Sequence, residues 1–259
     1  MYPKLSIVTP SLNQGKYIEE TILSVRNQKY PNYEHIIIDG GSTDETVNIV
    51  KKYPNITFVY EKDNGMTDAI NKGLRIASGE YIGWINSDDY YAENVFYKIV
   101  ELFRKDEVDW IVGNIAYRNE EDESLRKNTY FPEINYMNLL NNPDIVKQPG
   151  TFYSMEILKQ VGYLNDKYRM VMDYDLFIRI SNLNSPLMYD KVVAIFRNHP
   201  DQKTGRNNAQ RNMWIQLSEI FRIMRREGVG TINRLIILRK KIIDLIKISI
   251  KNALSVIAK

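Results

Sequence analysis

The rhythm of the first hundred residues limits the fold more than any other feature, because apolar runs of strand length alternate there with amphipathic stretches of helix length. Leu5-Ser6-Ile7-Val8-Thr9 reads as a first strand, closed by Pro10, and a helix is predicted after Asn13 with Ile18, Ile22 and Val25 on its buried face. Glu34–Asp39 is a second strand ending in Gly40-Gly41, and Ser42-Thr43-Asp44-Glu45 has the spacing of a capping box that opens a helix. Ile56–Tyr60 is a third strand. Thr67 or Asp68 starts a helix whose Ile70, Leu74 and Ala77 share a face, and Tyr81–Ile85 is a fourth strand. Strands separated by helices of this length imply parallel βαβ crossovers. The predicted class is α/β, a Rossmann-like, mostly parallel nucleotide-binding sheet flanked by helices.

The fourth strand ends abruptly in Asn86-Ser87-Asp88-Asp89. Two adjacent carboxylates therefore stand just beyond the carboxyl end of a strand, where open α/β sheets bind ligands. Each raises the other's pKa unless a cation neutralises them. Oxygen donors of this kind suit hard ions such as Mg²⁺ or Mn²⁺, which in turn hold phosphates. The same residues also read as a solvated turn before a helix, with Asp89 or Glu93 favoured by its dipole. Taken alone, the turn leaves both readings standing.

Composition narrows the chemistry. The 259 residues are 44% hydrophobic and 26% charged, enough for a full core. Without cysteine, and with only His35 and His199, the chain excludes disulfides, thiolate sites, a cysteine nucleophile and a multi-histidine zinc site. Met1–Leu5 runs directly into a strand, which predicts no signal peptide. No run approaches ~18 uncharged apolar residues, so no membrane-spanning helix is expected and the predicted location is cytoplasmic. The net charge of +3 is unevenly spread: residues 203–259 hold 13 Lys+Arg against 3 Asp+Glu, leaving 22 against 29 in residues 1–202. A basic tail on an acidic body predicts an anionic partner for the tail. A nucleic-acid partner is not expected.

Further along, a helix is predicted around 94–104, a strand over 108–114 and an exposed hairpin or loop over 118–128. A short helix over 135–141, a strand over 150–154 and a helix from Met155 to near Gly162 follow. Leu176, Phe177, Ile180 and Leu183 mark another helix, and a strand is expected near 186–197. Residues 207–227 and 231–258 read as two C-terminal helices. On a wheel of the second, Leu235, Ile242, Ile243, Ile246, Ile250, Ala253, Leu254 and Ile257 cluster on one side, with Lys240, Lys241, Lys247 and Lys251 opposite. Such a helix suits an anionic membrane surface, here the inner face of the cell membrane. The same apolar face would serve for packing on its own domain or for a homodimer.

Several segments together resemble one family. They are Ser6–Asn13, Ile38–Asp44, Glu61–Gly65 with Asp68–Gly73, Ile85–Asp89, and Met172-Asp173-Tyr174-Asp175-Leu176. In this order and spacing they look like the inverting glycosyltransferase family two, which has the GT-A fold, and most like its branch that builds bacterial cell-surface polysaccharides. The resemblance runs from residue 4 to about 204. It implies a catalytic domain over 1–204, with a donor half to about 114 and an acceptor half from about 115, followed by a basic helical extension over 205–259. It also implies an enzyme, a hexosyl- or N-acetylhexosaminyl-transferase. Such an enzyme would move a sugar from a nucleotide donor, here expected to be a UDP-sugar, to a glycan or lipid-linked glycan acceptor with Mn²⁺ or Mg²⁺.

The family's pattern then assigns roles. Thr9, Pro10, Ser11, Asn13 and Asp39 match positions that hold the donor's nucleoside. Asp63, Gly65, Asp68 and Lys72 match a loop and helix start beside the nucleotide, although Asp68 is equally placed to cap its helix. Asn86-Ser87-Asp88-Asp89 occupies the metal motif, usually Asp-x-Asp; with Asn86 in the first position the metal load falls on Asp88 and Asp89. Asp173 aligns with the catalytic base and is also placed to cap the helix that holds Leu176 and Ile180. Met172 replaces the supporting acid, for which Asp175 is either a candidate substitute or a residue of the helix's polar side. Gln148–Phe152 resembles the acceptor-side strand. Arg197–Thr204 resembles a closing loop, in which His199 would approach the metal and Lys203 the diphosphate. Trp84 and Tyr90 flank the metal turn and are placed either to stack on sugar or to fill the core. His35 reads as structural.

Two other classes fit less of the sequence. A catalytically inactive glycosyltransferase-like subunit is suggested by Asn86 and Met172. A sugar-1-phosphate nucleotidyltransferase would need a basic glycine-rich loop after the first strand, and Thr9–Gly15 has no such cluster.

Overall fold

The computed structural model describes residues 2–203, 208–239 and 241–243. Its first half follows the predicted alternation: β1 (Leu5–Ser11), α1 (Ile18–Arg26), β2 (Tyr33–Asp39), α2 (Thr46–Val50), β3 (Ile56–Tyr60), α3 (Met66–Ile76) and β4 (Tyr81–Trp84). The four strands are parallel, in the order β3-β2-β1-β4. β1 is buried along its whole length, as a central parallel strand covered on both faces must be. α3 lies so close to it that a Cβ on Gly73 would come within 2.5 Å of a Val8 methyl.

The helix starts in this half differ from the predicted ones. Gly65 caps α3 at φ 116° and ψ 172°, a region open essentially to glycine alone. The predicted capping box at Ser42 does not form. The helix begins only at Thr46, and Asp44 Oδ1 accepts from both the Thr46 N–H (3.0 Å) and its hydroxyl. Ser42 instead links the loop to Asp39 and to the backbone of Asn13.

The second half comprises β5 (Tyr90–Tyr91), α4 (Phe96–Asp106), β6 (Trp110–Asn119), β7 (Leu125–Lys127), α5 (Tyr136–Asn141), β8 (Thr151–Ser154), α6 (Met155–Val161), α7 (Met172–Ser181), β9 (Leu187–Asn198) and α8 (Ala209–Arg226). These strands extend the sheet to nine, in the order β3-β2-β1-β4-β8-β6-β9-β5, with β7 attached to β6. β8 is antiparallel to both β4 and β6, and β9 is parallel to β6. The sheet is thus parallel on the donor side and mixed beyond it. β6 runs past the predicted end at residue 114 because it continues into the hairpin with β7.

The main core joins Trp84, Trp110 and Tyr153 of the sheet to Leu176, Phe177 and Ile180 of α7 and to Ile220, Ile223 and Met224 of α8. α8 is therefore built into the same body as the sheet. Residues 231–239 and 241–243 are helical. Ile237 is buried in that core, whereas Ile232, Leu235, Ile236, Ile242 and Ile243 are exposed. Lys241 pairs with Asp144 at 2.6 Å. The rest of the helix predicted to 258, with Lys240, Lys247 and Lys251, lies outside the described residues. Among the described residues no helix is long and apolar enough to cross a membrane.

Candidate active site

A cleft of about 350 Å³ opens where β4 ends, lined by Trp84, Asn86, Asp88, Asp89, Gln148, Asp173 and Lys203 among others. It brings the predicted metal turn, base and phosphate-binding lysine onto one surface.

The turn after β4 is clamped from β9. The Arg197 N–H donates to Asp89 Oδ1 (2.9 Å), and Arg197 Nε donates to the Asp88 carbonyl (2.8 Å). The Arg197 guanidinium is itself buried and pairs with Glu120 (3.0 Å) and Glu20 (2.5 Å). Burial pushes the Glu120 carboxyl up, but hydrogen bonds from Lys16 and Arg197 outweigh it and hold it down to about 2. His199 follows on the same strand's exit. It is buried rather than on the surface, its ring packs on Tyr17 at 4.6 Å, and its Nε2 lies 3.2 Å from Asp88 Oδ2.

These residues fit a divalent cation. Asp89 is 1% exposed and its Oδ2 has no hydrogen-bond partner. Burial, and then the neighbouring Asp88, raise its pKa well above the carboxylate range. An ionised carboxylate in that position needs a cation. Two carboxylates and an imidazole are hard or borderline donors of the kind Mn²⁺ and Mg²⁺ accept. Among the described residues no three acidic or histidine side chains form a ready cage. Substrate phosphates and water would therefore have to complete the coordination around these side chains.

Asp173 stands in the first turn of α7, where its Oδ1 accepts from the Tyr174 N–H (2.9 Å). Burial raises its pKa; Asp144 adds to the rise, and the Tyr174 N–H and Lys203 oppose it. It does not cap the helix, whose N-cap is Val171. Met172, in the place of the supporting acid, is buried in the core. The walls of the cleft lower the pKa of Lys203, while Asp173 and Asp88 pull it the other way. Gln148 is fixed by donating to the Trp84 carbonyl (2.7 Å), and Asn86 bridges Trp84 Nε1 (3.1 Å) and Gln148 (3.4 Å). Trp84 is 3% exposed, so it forms the floor of the cleft more than a stacking platform. Ser87 is buried in the turn, its carbonyl taking a hydrogen bond from Thr21.

The remaining donor-side residues do not line this cleft; they form a second group at the carboxyl ends of β1, β2 and β3. Thr9 is buried and hydrogen-bonded to His35 Nε2 (3.0 Å), whose pKa burial pushes down to about 3. Pro10 is buried in register with Ile38. Ser11 Oγ is buried without a partner. Asn13 Oδ1 accepts from Thr43 N, and both Asp39 oxygens are engaged by the Gly41 and Ser42 amides and the Ser42 hydroxyl. Asp63 accepts from Gly65 N, and Asp68 accepts from Asn64 N and pairs with Lys72 (3.4 Å). In this structure Asp39 and Asp68 organise their own loops.

Two residues expected on the acceptor side lie away from the cleft. Tyr90 lies under the Arg197 guanidinium and lines a separate groove with Glu20 and Leu23, on β5 rather than at the cleft. Asp175 is fully buried and locked between Arg179 (2.8 Å) and Arg226 (2.5 Å), so it replaces no missing acid in the cleft. The sequence reading missed Glu219 of α8, which accepts from the Arg169, Met170 and Val171 amides just ahead of Asp173. Its only signal is that it is one of three acids in a strongly basic tail.

Comparison with known proteins bears on the fold and the family. Chondroitin synthase of Escherichia coli is 26% identical over 231 residues, covering 86% of this chain and 32% of that one. TarS of S. aureus, solved in complex with UDP, superposes with a TM-score of 0.65 at 21% identity, over 85% of this chain and 64% of that one. The mannosyltransferase PcManGT of Pyrobaculum calidifontis, solved with GDP-Man and Mn²⁺, gives 0.65 at 18% identity, over 86% and 65%. At these identities the two structures show the fold, the expected GT-A architecture. The chain spans 37% of the length of two Rickettsia glycosyltransferases that it also matches. The family model for glycosyl transferase family 2 matches residues 6–162, more than half the chain and the Asn86–Asp89 turn with it, and this chain belongs to that family.

Proposed function

We propose that this chain is an inverting, metal-dependent glycosyltransferase that moves a sugar from a UDP-sugar to an acceptor glycan in cell-surface polysaccharide synthesis. One observation carries the proposal: the Asp88 and Asp89 carboxylates and the Asp173 carboxylate line the same cleft, with His199 behind Asp88 at 3.2 Å. An inverting transfer requires that separation of roles. The acceptor hydroxyl oxygen attacks the anomeric carbon on the face away from the diphosphate. The new C–O bond forms as the bond to the diphosphate oxygen breaks, and the electron pair leaves with UDP. Asp173 takes the hydroxyl proton, a contribution of ~10²–10⁴-fold in rate. Asp88, Asp89 and His199 would hold Mn²⁺ or Mg²⁺, which when bound stabilises negative charge on the departing diphosphate. Lys203 balances phosphate charge from the facing side. Two proteins of like fold, one bound to UDP and the other to GDP-Man with Mn²⁺, support this assignment.

The acceptor is a lipid-linked glycan presented at the inner face of the cell membrane. Support for this comes from the apolar stripe of Ile232, Leu235, Ile236, Ile242 and Ile243, exposed among the described residues of 231–243, which suits burial at a headgroup boundary. Asp173→Asn tests the core of the proposal. UDP release on transfer is expected to fall by ~10²–10⁴-fold with Mn²⁺·UDP binding unchanged. Undiminished turnover in that variant would remove the base assignment.

A further inference from the structure

Glu219 is a charged residue that none of the motifs explains. It is 5% exposed on α8, a position where a carboxylate is costly unless its oxygens are satisfied. Three backbone amides satisfy them: Oε1 accepts from Arg169 N (2.9 Å), and Oε2 accepts from Met170 N (2.9 Å) and Val171 N (3.3 Å). Hydrogen bonds to an ionised acceptor are the strong kind. The segment they hold leads directly into Asp173. About two turns further along α8, Arg226 donates to Asp175 Oδ1 (2.5 Å), whose other oxygen takes Arg179 Nε (2.8 Å). Arg179 also donates to the Val161 and Tyr163 carbonyls, which anchors α7 to the end of α6. Asp173 thus stands between two attachments to α8, one through the backbone amides just before it and one through the Asp175 side chain just after.

We propose that Glu219 is a positioning residue for the base: by drawing the amides of 169–171 onto α8 it fixes the entry to α7 and hence the place of the Asp173 carboxylate in the cleft. This rests on the reading of Asp173 as the base. The position requires a carboxylate specifically. In Glu219→Gln one of the two accepting oxygens becomes an NH₂ facing an amide N–H, so the shape is kept while the clamp is lost. Misplacing a reacting group by about 1 Å costs on the order of 10²-fold, and that is the loss expected here.

The test compares wild type, Glu219→Gln and Glu219→Asp in UDP release from a panel of UDP-sugars. Rates are expressed per Mn²⁺·UDP-binding site so that misfolded protein is not counted. The expected result for Glu219→Gln is a kcat lower by about 10²-fold with the donor KM unchanged, with part of the loss recovered in Glu219→Asp, which keeps the charge. A Glu219→Gln protein that melts earlier but turns over like wild type at each binding site would overturn the inference, leaving the clamp merely structural. Should Glu219→Gln fail to fold, the same kcat-against-KM split in Glu219→Asp decides the matter. A wild type that releases no UDP, or an Asp173→Asn that keeps full turnover, would remove the reading itself and this inference with it.

Discussion

Asp88 and Asp89 enter the cleft from a turn whose strand, loop and carboxylates are contiguous in the chain, and whose position follows from β4 ending there. Asp173, across the cleft, sits on a helix whose entry and first turn are gripped by α8, through contacts 48–51 residues apart in sequence. The two sides share a physical problem, since each keeps a carboxylate out of water with a raised pKa. They solve it differently. The metal corner leaves Asp89 Oδ2 without a protein partner, as a cation site would. The base side leaves Asp173 with a backbone amide and spends its charged partners on the residues around it. Under the proposed function, the carboxylate that would ligate is left wanting a cation, and the one that would take a proton is held in place by its surroundings.

The largest effect on stability should come from the base side. Asp175→Asn leaves Arg179 and Arg226 converging on a neutral group. Breaking a buried pair costs ~3–5 kcal/mol, and because both arginines are partly in solvent the expected loss is about 3 kcal/mol. A urea titration with an unchanged slope would register it as a lower midpoint. A loss below about 1 kcal/mol would class the cluster with ordinary surface pairs and break the contrast drawn above.

The next expectation concerns pH. Burial raises the Asp173 pKa, with Asp144 adding and Lys203 opposing, and the base must be ionised to act. Turnover should therefore fall on acidification at a pH above the ~3.9 of an unperturbed aspartate. The stability linkage has the opposite sense. The folded state binds the Asp173 proton more tightly than the unfolded one, so this group favours folding as pH falls through its folded pKa and disfavours it as pH rises. A kcat profile whose acid limb lies at the ordinary carboxylate value would contradict the buried base.

The smallest effect belongs to the terminal helical residues. Lys241→Ala removes the pair with Asp144, a partner that is half exposed. The expected change is under 1 kcal/mol by thermal melt. A larger one would mean that this segment is as firmly built into the body as α8.

The donor half was legible in the sequence because its βαβ units are local. Ile18, Ile22 and Val25 do face the core, and β1 to β4 lie where the alternation put them, except that Pro10 does not close β1, which runs through it in register with β2 to Ser11. Its helix starts were less so: Ser42 has the spacing of a cap, yet tertiary contacts with Asp39 and Asn13 claim its hydroxyl and Asp44 takes its place. On the base side Asp173 was found by motif alone. Asp175 looked like an active-site acid because nothing local announces that Arg226 will reach it. His199 looked like a loop residue because only the folded chain lays Tyr17 against its ring. Glu219 carried no pattern at all, since its partners are backbone amides, which no side-chain spacing reports.

If Asp88 and its neighbours hold a cation that in turn holds the donor's diphosphate, nucleotide binding must depend on that cation. Melting wild type and Asp88→Asn with UDP, each with and without Mn²⁺, tests it most directly. A nucleotide at ~100 times its dissociation constant adds about 2.7 kcal/mol, a shift the melt resolves. The account predicts that UDP stabilises wild type chiefly when Mn²⁺ is present, and that Asp88→Asn loses the Mn²⁺-dependent part while remaining folded. An Asp88→Asn protein with the full Mn²⁺-dependent shift, or a wild type stabilised equally by UDP without metal, would contradict it.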